Sequence, residues 1–176
     1  MDYKVLEKKL SHYNEVLNNT KQYRKDWNDN LKNTIMETLE EIIENSGMDA
    51  EIDEHDQFAG LETITLSLGI VESGISEKID DNIEKPLIRS NGNLLFQQLF
   101  NGKISIWINY PFIEGVGEPK QPKMLEIVRP NELKEINILR YFENFIDELT
   151  EWEDFDDDKP PVTGIGFNHQ SAALKQ

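Results

Sequence analysis

The chain has 176 residues, 38% of them hydrophobic, and it contains no cysteine. This length suits one domain with an ordinary core, and the missing cysteines exclude disulfides, thiolate nucleophiles and cysteine metal sites. The net charge of -16, from 34 acidic and 18 basic residues, makes unaided binding to nucleic acid or anionic lipid electrostatically unfavourable. No long apolar stretch follows Met1, which predicts a cytoplasmic protein without a membrane span.

The charge is unevenly distributed along the chain. Residues 1–33 contain seven Lys or Arg and five Asp or Glu, a net charge of +2. The rest of the chain contains 11 basic and 29 acidic residues, a net charge of -18. A slightly basic arm therefore precedes a strongly acidic body, and we expect this body to attract a partner protein with a basic surface.

The N-terminal part carries apolar side chains at steps of three and four, the spacing of a helix with one apolar stripe. The stripe consists of Leu6, Leu10, Tyr13, Leu17, Trp27, Leu31, Ile35, Leu39 and Ile42. Asn18, Asn19 and Thr20 combine poor helix formers with a candidate N-cap, which favours a break. One continuous helix would be roughly 67 Å long, more than a compact domain needs. We therefore expect an arm over residues 1–47 that folds back as a helical hairpin or projects to another chain, including a second copy.

Short strands are predicted after the arm. Residues 62–70 alternate between apolar and polar side chains, which is typical of a strand with one wet face. Residues 50–54 predict a strand that pairs with it, and residues 124–128 predict a last strand. The isoleucines within residues 75–83 have helical spacing and favour a short helix there.

The strongest local signal is Asn101-Gly102 between two apolar runs, which predicts a central β-hairpin with a two-residue turn. This turn pairs Leu99 with Ile104 and Phe96 with Trp107. One face of the hairpin then carries Leu95, Leu99, Ile104, Ile106, Ile108 and Tyr110. The other face carries Leu94, Phe96, Phe100 and Trp107.

Both faces of this hairpin are apolar, so both need cover. The simplest arrangement has a helix or the C-terminal tail lying over Phe96 and Trp107, because a large buried aromatic residue usually belongs to a core. A ligand pocket and a docking patch are the alternatives. We take Phe96 and Trp107 as candidate partner-binding residues.

A helix is predicted after Pro130. Its apolar stripe consists of Leu133, Ile136, Leu139 or Arg140, Tyr141 or Phe142, Phe145, Ile146 and Leu149. Eight acidic residues and no basic one then lie within residues 147–158. Such a run is more often simply solvated, but it also speeds the approach of a basic protein. Asp154, Asp156, Asp157 and Asp158 are therefore further candidate partner-binding residues.

Motifs for catalysis or cofactor binding are weak. The three imidazoles, His12, His55 and His169, lack triad spacing, and no glycine-rich phosphate loop opens a helix after a strand. Asp53 and His55 share one side of a strand end, but two ligands do not make a metal site on their own. A calcium loop beginning at Asp154 fails because no glutamate occupies its twelfth position. We predict no catalytic residue, no cofactor and no metal.

Together these patterns predict an α+β fold. It has an N-terminal helical arm (1–47), an antiparallel sheet of about four to five strands with a C-terminal helix packed on one face (48–152), and an acidic tail (153–176). The surfaces favour a non-enzymatic, acidic interaction module that binds a basic partner. An adaptor, an immunity-type inhibitor, an escort chaperone and an assembly subunit all fit this description.

The alternative belongs to another class of function. A small-ligand-binding protein or an enzyme would hold its ligand between the sheet and the helices. Trp107, Phe96 and Tyr110 would be the aromatic walls of such a pocket.

Overall fold

A long helix, two antiparallel sheets and a C-terminal helix make up the fold in the computed structural model, which describes residues 3–80 and 82–155. The predicted α+β class is confirmed. The helices are α1 (Lys4–Asp26), α2 (Lys32–Ser46) and α3 (Glu135–Glu153). The strands are β1 (Glu51–His55), β2 (Thr63–Ser67), β3 (Ile70–Asp80), β4 (Ile83–Ser90), β5 (Asn93–Gln98), β6 (Ile104–Asn109), β7 (Phe112–Ile113) and β8 (Lys123–Val128). None of the helices in the described residues is long and apolar enough to cross a membrane.

The helices α1 and α2 form one continuous rod, joined by the π-helical turn Trp27–Leu31. The break expected near Asn18 is not present. Thr20 does not cap a new helix, because its hydroxyl donates to the carbonyl of Val16, 3.1 Å away in the same helix. The rod ends at Gly47, whose φ of 66° gives a left-handed C-cap. The arm therefore does not fold back as a hairpin.

The core lies between α2, α3 and one face of the larger sheet. Its fully buried side chains include Trp27, Ile35, Leu39, Ile64, Leu66, Leu94, Phe96, Ile104, Ile106, Ile108, Ile138 and Phe145. The second half of the long helix thus belongs to the same core as the strands. By contrast, α1 has no buried residue.

The larger sheet has five strands in the order β1-β2-β5-β6-β8, and all neighbours are antiparallel. The predicted pairing of the first two strands is confirmed, with Ile52 opposite Leu66. Leu66 and Ile64 face the core, while Thr63 and Ser67 lie on the other face, because side chains alternate along a strand. The predicted last strand is β8.

A second antiparallel sheet has the order β3-β4-β7. The short helix predicted from Ile75, Ile79 and Ile83 is therefore wrong, since these residues belong to the long ribbon of β3 and β4 and are exposed. Gly74, with a φ of 76°, lies beside a register shift in the ribbon. This irregularity interrupts the alternation by which strands are recognised in a sequence.

The strands β5 and β6 form the predicted hairpin, but its loop has three residues instead of two. The N–H of Leu99 donates to the carbonyl of Lys103, and the N–H of Gly102 donates to the carbonyl of Leu99, both at 2.8 Å. Phe100, Asn101 and Gly102 therefore form the loop. A hairpin loop of this length needs a left-handed last residue, here Gly102 with a φ of 76°.

The extra loop residue shifts the strand pairing by one position from the predicted register. Phe96 lies opposite Ile106, and Leu95 lies opposite Trp107. The three isoleucines of β6 face the core as predicted, but Leu94 and Phe96 lie beside them instead of on the opposite face. A shift of one residue has this effect because neighbouring side chains in a strand point to opposite faces.

Candidate functional site

A surface groove runs between the long helix and α3. It consists of two clefts that meet at Glu135 and Ile136, one of about 660 Å³ and one of about 590 Å³. The first lies between the π-turn and the segment leading into α3, and the second lies between α2 and α3. Both volumes are in the usual range for binding sites. We call this feature the α2–α3 groove.

The groove has an apolar lining because the apolar stripe of α3 is wider than the part of the helix that packs against the core. Ile138 and Phe145 are fully buried. Ile136 belongs to the predicted apolar stripe, in which Leu139 is an alternative to Arg140. They are 70% and 38% exposed and line the groove beside Phe142. Part of the predicted apolar stripe of α3 therefore faces the groove and not the core. The excess of apolar positions on α3 was the sequence signal for this surface.

The rim of the groove is acidic. Five of its lining residues carry a carboxylate, namely Asp26, Asp29, Glu41, Glu135 and Glu143. Lys134 is the single basic residue among the residues that line it. The local charge has the same sign as the net charge of the chain and favours a cationic partner.

One wall of the groove is the π-turn, and Trp27 fixes its position. This residue is fully buried, and its Nε1 donates a hydrogen bond to the Glu62 carboxylate at 2.8 Å. Nζ of Lys32 lies 3.7 Å from the same carboxylate. The wider π-turn lets Trp27 and Leu31 both reach the core while Asp29 lines the groove. The wall is therefore anchored before any partner binds.

A second apolar surface lies on the face of the five-stranded sheet that points away from the core, and we call it the outer sheet face. Trp107 lies at its centre, opposite Leu95 on β5 and Met124 on β8. Met124 and Ile127 are 47% and 46% exposed. The Nε1 of Trp107 is buried and has no hydrogen-bond partner within the described part of the chain.

The structure separates the two aromatic residues proposed for partner binding. Phe96 is fully buried, with its ring centroid 6.3 Å from that of Tyr141, so a partner cannot reach it in this fold. Trp107 belongs to the outer sheet face, and its role in partner binding stays a prediction. Because the two residues lie on opposite faces of the sheet, they do not form one pocket with Tyr110, which is also buried.

The acidic candidates lie at the end of the described residues. Asp154 follows the last turn of α3, where its N–H donates to the Thr150 carbonyl, and it is exposed. Asp156, Asp157 and Asp158 lie outside the described residues. Their part in attracting a basic partner stays a prediction.

An ionic cluster joins α3 to the larger sheet. Glu148 accepts hydrogen bonds from the Tyr110 hydroxyl and from Lys123, and Nζ of Lys120 lies 3.9 Å away. Burial acts to raise the pKa of Glu148, but these hydrogen bonds outweigh it and hold the pKa below its usual value. The charges in this cluster are paired, which is typical of a structural contact. Residues 3–80 and 82–155 contain no group of three or more side chains arranged to hold a metal ion.

The scan against protein-family models, the search of curated proteins and the search of solved structures each found no match to this chain.

Proposed function

We propose that this chain is a non-enzymatic, acidic protein-interaction module whose α2–α3 groove binds a basic amphipathic segment of a partner protein. The observation that carries the proposal is one groove in which the exposed Ile136 is accompanied by five carboxylates and a single lysine. Such a groove covers the apolar side of a bound helix, while its carboxylates pair with lysines and arginines at the edge of that helix. The proposal places the protein in the cytoplasm, as its composition favours.

The two parts of the groove have different effects on binding. Covering the side chain of Ile136, which is 70% exposed before binding, contributes about 1 to 2 kcal/mol, and covering that of Leu139, which is 38% exposed, contributes about 0.5 to 1 kcal/mol. Each exposed ion pair at the rim contributes about 0 to 1 kcal/mol. The carboxylates therefore mainly raise the association rate and select cationic partners, whereas the apolar residues set how long the complex lasts.

Affinity capture with three matched variants tests this proposal. Each variant changes one exposed isoleucine to lysine, so all have the same net charge: Ile136→Lys in the groove, Ile127→Lys on the outer sheet face and Ile79→Lys on the β3–β4 ribbon. Wild type and variants are immobilised, exposed to native lysate, and the retained proteins are identified by mass spectrometry.

We expect wild type, Ile79→Lys and Ile127→Lys to retain the same proteins, with basic surfaces, and Ile136→Lys to lose them. Equal retention by Ile136→Lys would refute binding in the groove. Loss with Ile127→Lys alone would move the site to the outer sheet face around Trp107. A small molecule that native mass spectrometry finds on wild type and not on Ile136→Lys would support the ligand-binding alternative instead.

A further inference from the structure

The first helix, α1, carries an apolar stripe that the rest of the described chain does not cover. Residues 4–19 are all exposed. Leu6, Leu10, Tyr13 and Leu17 follow one another at steps of four, three and four, and they are 44% to 59% exposed. This is the spacing of the contact positions in a two-stranded coiled coil, in which each apolar residue packs against a second helix.

We propose that α1 pairs with α1 of a second copy of this chain in antiparallel orientation, forming a homodimer with one acidic body at each end. In this arrangement Leu6 packs against the partner's Leu17, and Leu10 packs against the partner's Tyr13. The symmetry of the pair repeats both contacts, so the four residues of each stripe are all covered. This inference is independent of the α2–α3 groove.

The rest of the fold sets the orientation of the partner helix, because it packs against the same side of α1 just C-terminal to the stripe. The tip of the β5–β6 hairpin contacts α1 there: an added Cβ on Gly102 would lie 3.1 Å from the carbonyl oxygen of Thr20. Arg24 also donates to the Phe100 carbonyl at 2.7 Å. An antiparallel partner helix begins its first turn opposite Thr20, so it ends where the body starts. A parallel partner helix would instead continue past Thr20 and meet the hairpin tip.

The charges on α1 bear on the orientation at the contact between the two helices. The helix Lys4–Asp26 has six basic and three acidic residues, a net charge of +3. Lys4, Lys8 and Lys9 lie in its first third, and Lys21, Arg24 and Lys25 lie in its last third, C-terminal to the stripe. A parallel dimer brings these lysine-rich ends together. The residues that flank the stripe also meet across the antiparallel dimer. Glu7 lies next to the partner's Asn14 and Lys9 next to the partner's Val16, so no like charges meet there.

The contact is short, about two heptad repeats with four apolar residues from each chain. An isolated helix of this length would be marginal in water. Here the helix is continuous with the π-turn, and Trp27 of that turn is fully buried in the body, so part of the ordering has already occurred before the chains meet. We therefore expect a weak, reversible dimer.

Sedimentation equilibrium of the full chain tests the dimer. The dimer is expected for wild type and for Ser11→Lys, because Ser11 lies beside the stripe and not on it. Leu10→Lys adds the same charge to the same turn but within the stripe, and it should weaken dimerisation about 100-fold or more, since two leucines lose their contacts. A monomeric wild type, or equal dimerisation of both variants, would overturn the proposal while leaving the function of the groove untouched.

The orientation is tested by disulfide formation, which is straightforward because the chain has no cysteine. Leu6→Cys alone should give no covalent dimer, because antiparallel pairing places the two Leu6 positions roughly 16 Å apart along the axis. A mixture of Leu6→Cys and Leu17→Cys chains should give covalent heterodimers. A covalent dimer of Leu6→Cys alone would overturn the antiparallel orientation. Loss of dimerisation in Ile136→Lys would overturn α1 pairing, because it would place α1 in the partner's groove.

Discussion

Gly102 shows how one residue determines both a turn and a long-range contact. Its φ of 76° is required by the three-residue hairpin loop, and a side chain there would meet the long helix. An added Cβ would lie 2.7 Å from the Cβ of Tyr23 and 3.1 Å from the Thr20 carbonyl oxygen. The absence of a side chain at this position therefore lets the hairpin tip rest on α1.

We predict that Gly102→Ala destabilises the fold by more than about 2 kcal/mol, because strain at positive φ adds to a clash with α1. Gly115→Ala is the matched control: Gly115 has a φ of 79°, but no atom lies within 4 Å of the added Cβ. This control should lose only about 1 kcal/mol. Urea denaturation of both variants gives the difference, and equal losses would show that the contact with α1 does not contribute.

Gln98 is a polar side chain on the core face of β5. It is 1% exposed and lies opposite Ile104, and neither Nε2 nor Oε1 has a hydrogen-bond partner among the described residues. We predict that Gln98→Leu stabilises the fold by about 1 kcal/mol or more, because an unsatisfied buried amide is replaced by an apolar group of similar size. Thermal or urea unfolding measures this change, and a loss of stability would indicate that the amide is satisfied.

At the scale of elements, the Glu148 cluster fastens α3 to the sheet. Because the pKa of this carboxyl is lowered in the folded state, its charged form stabilises the fold, and this stabilisation is fully present above the ordinary pKa of a glutamate in the unfolded chain. This contribution is lost as the pH falls through the folded pKa. We predict that Glu148→Gln lowers the free energy of unfolding by about 1 to 2 kcal/mol at pH 7.

The difference between Glu148→Gln and wild type should shrink at low pH, where the wild-type carboxyl is also neutral. Denaturant unfolding at neutral and acidic pH measures it, with Asp147→Asn as control because Asp147 is exposed on the same turn. A difference that does not change with pH would mean that the charge of Glu148 does not stabilise the fold.

The elements differ in how far the sequence predicts them. Regular spacing predicted α2 and β2, because each buries a single face and the buried residues repeat with the period of the element. The hairpin register was not predictable from Asn101-Gly102, because a two-residue and a three-residue loop both accept this pair. The groove was not predictable because it depends on how α2 and α3 meet, which the order of residues in either helix does not reveal.

At the scale of the whole molecule, the negative charge acts over a distance set by the salt concentration. We predict that changing Asp154, Asp156, Asp157 and Asp158 together to Asn slows association with a basic partner and weakens its salt dependence, with little change in dissociation. The Debye length of about 8 Å at physiological ionic strength limits such steering to the approach of the partner. Stopped-flow association rates measured against salt test this prediction, and identical curves would confine these residues to solubility.

Methyl NMR of the isoleucines shows whether the α2–α3 groove binds a basic amphipathic segment, as we propose. The probe is a helical peptide of leucine and lysine with one apolar face, titrated at physiological salt into the full chain. A peptide with glutamate in place of lysine is the control. We predict saturable shifts of the Ile136 and Ile42 methyl signals with the lysine peptide alone, while those of Ile79 and Ile127 do not move. Shifts centred on Ile127, or no saturable shift at Ile136, would show that the groove does not bind such a segment.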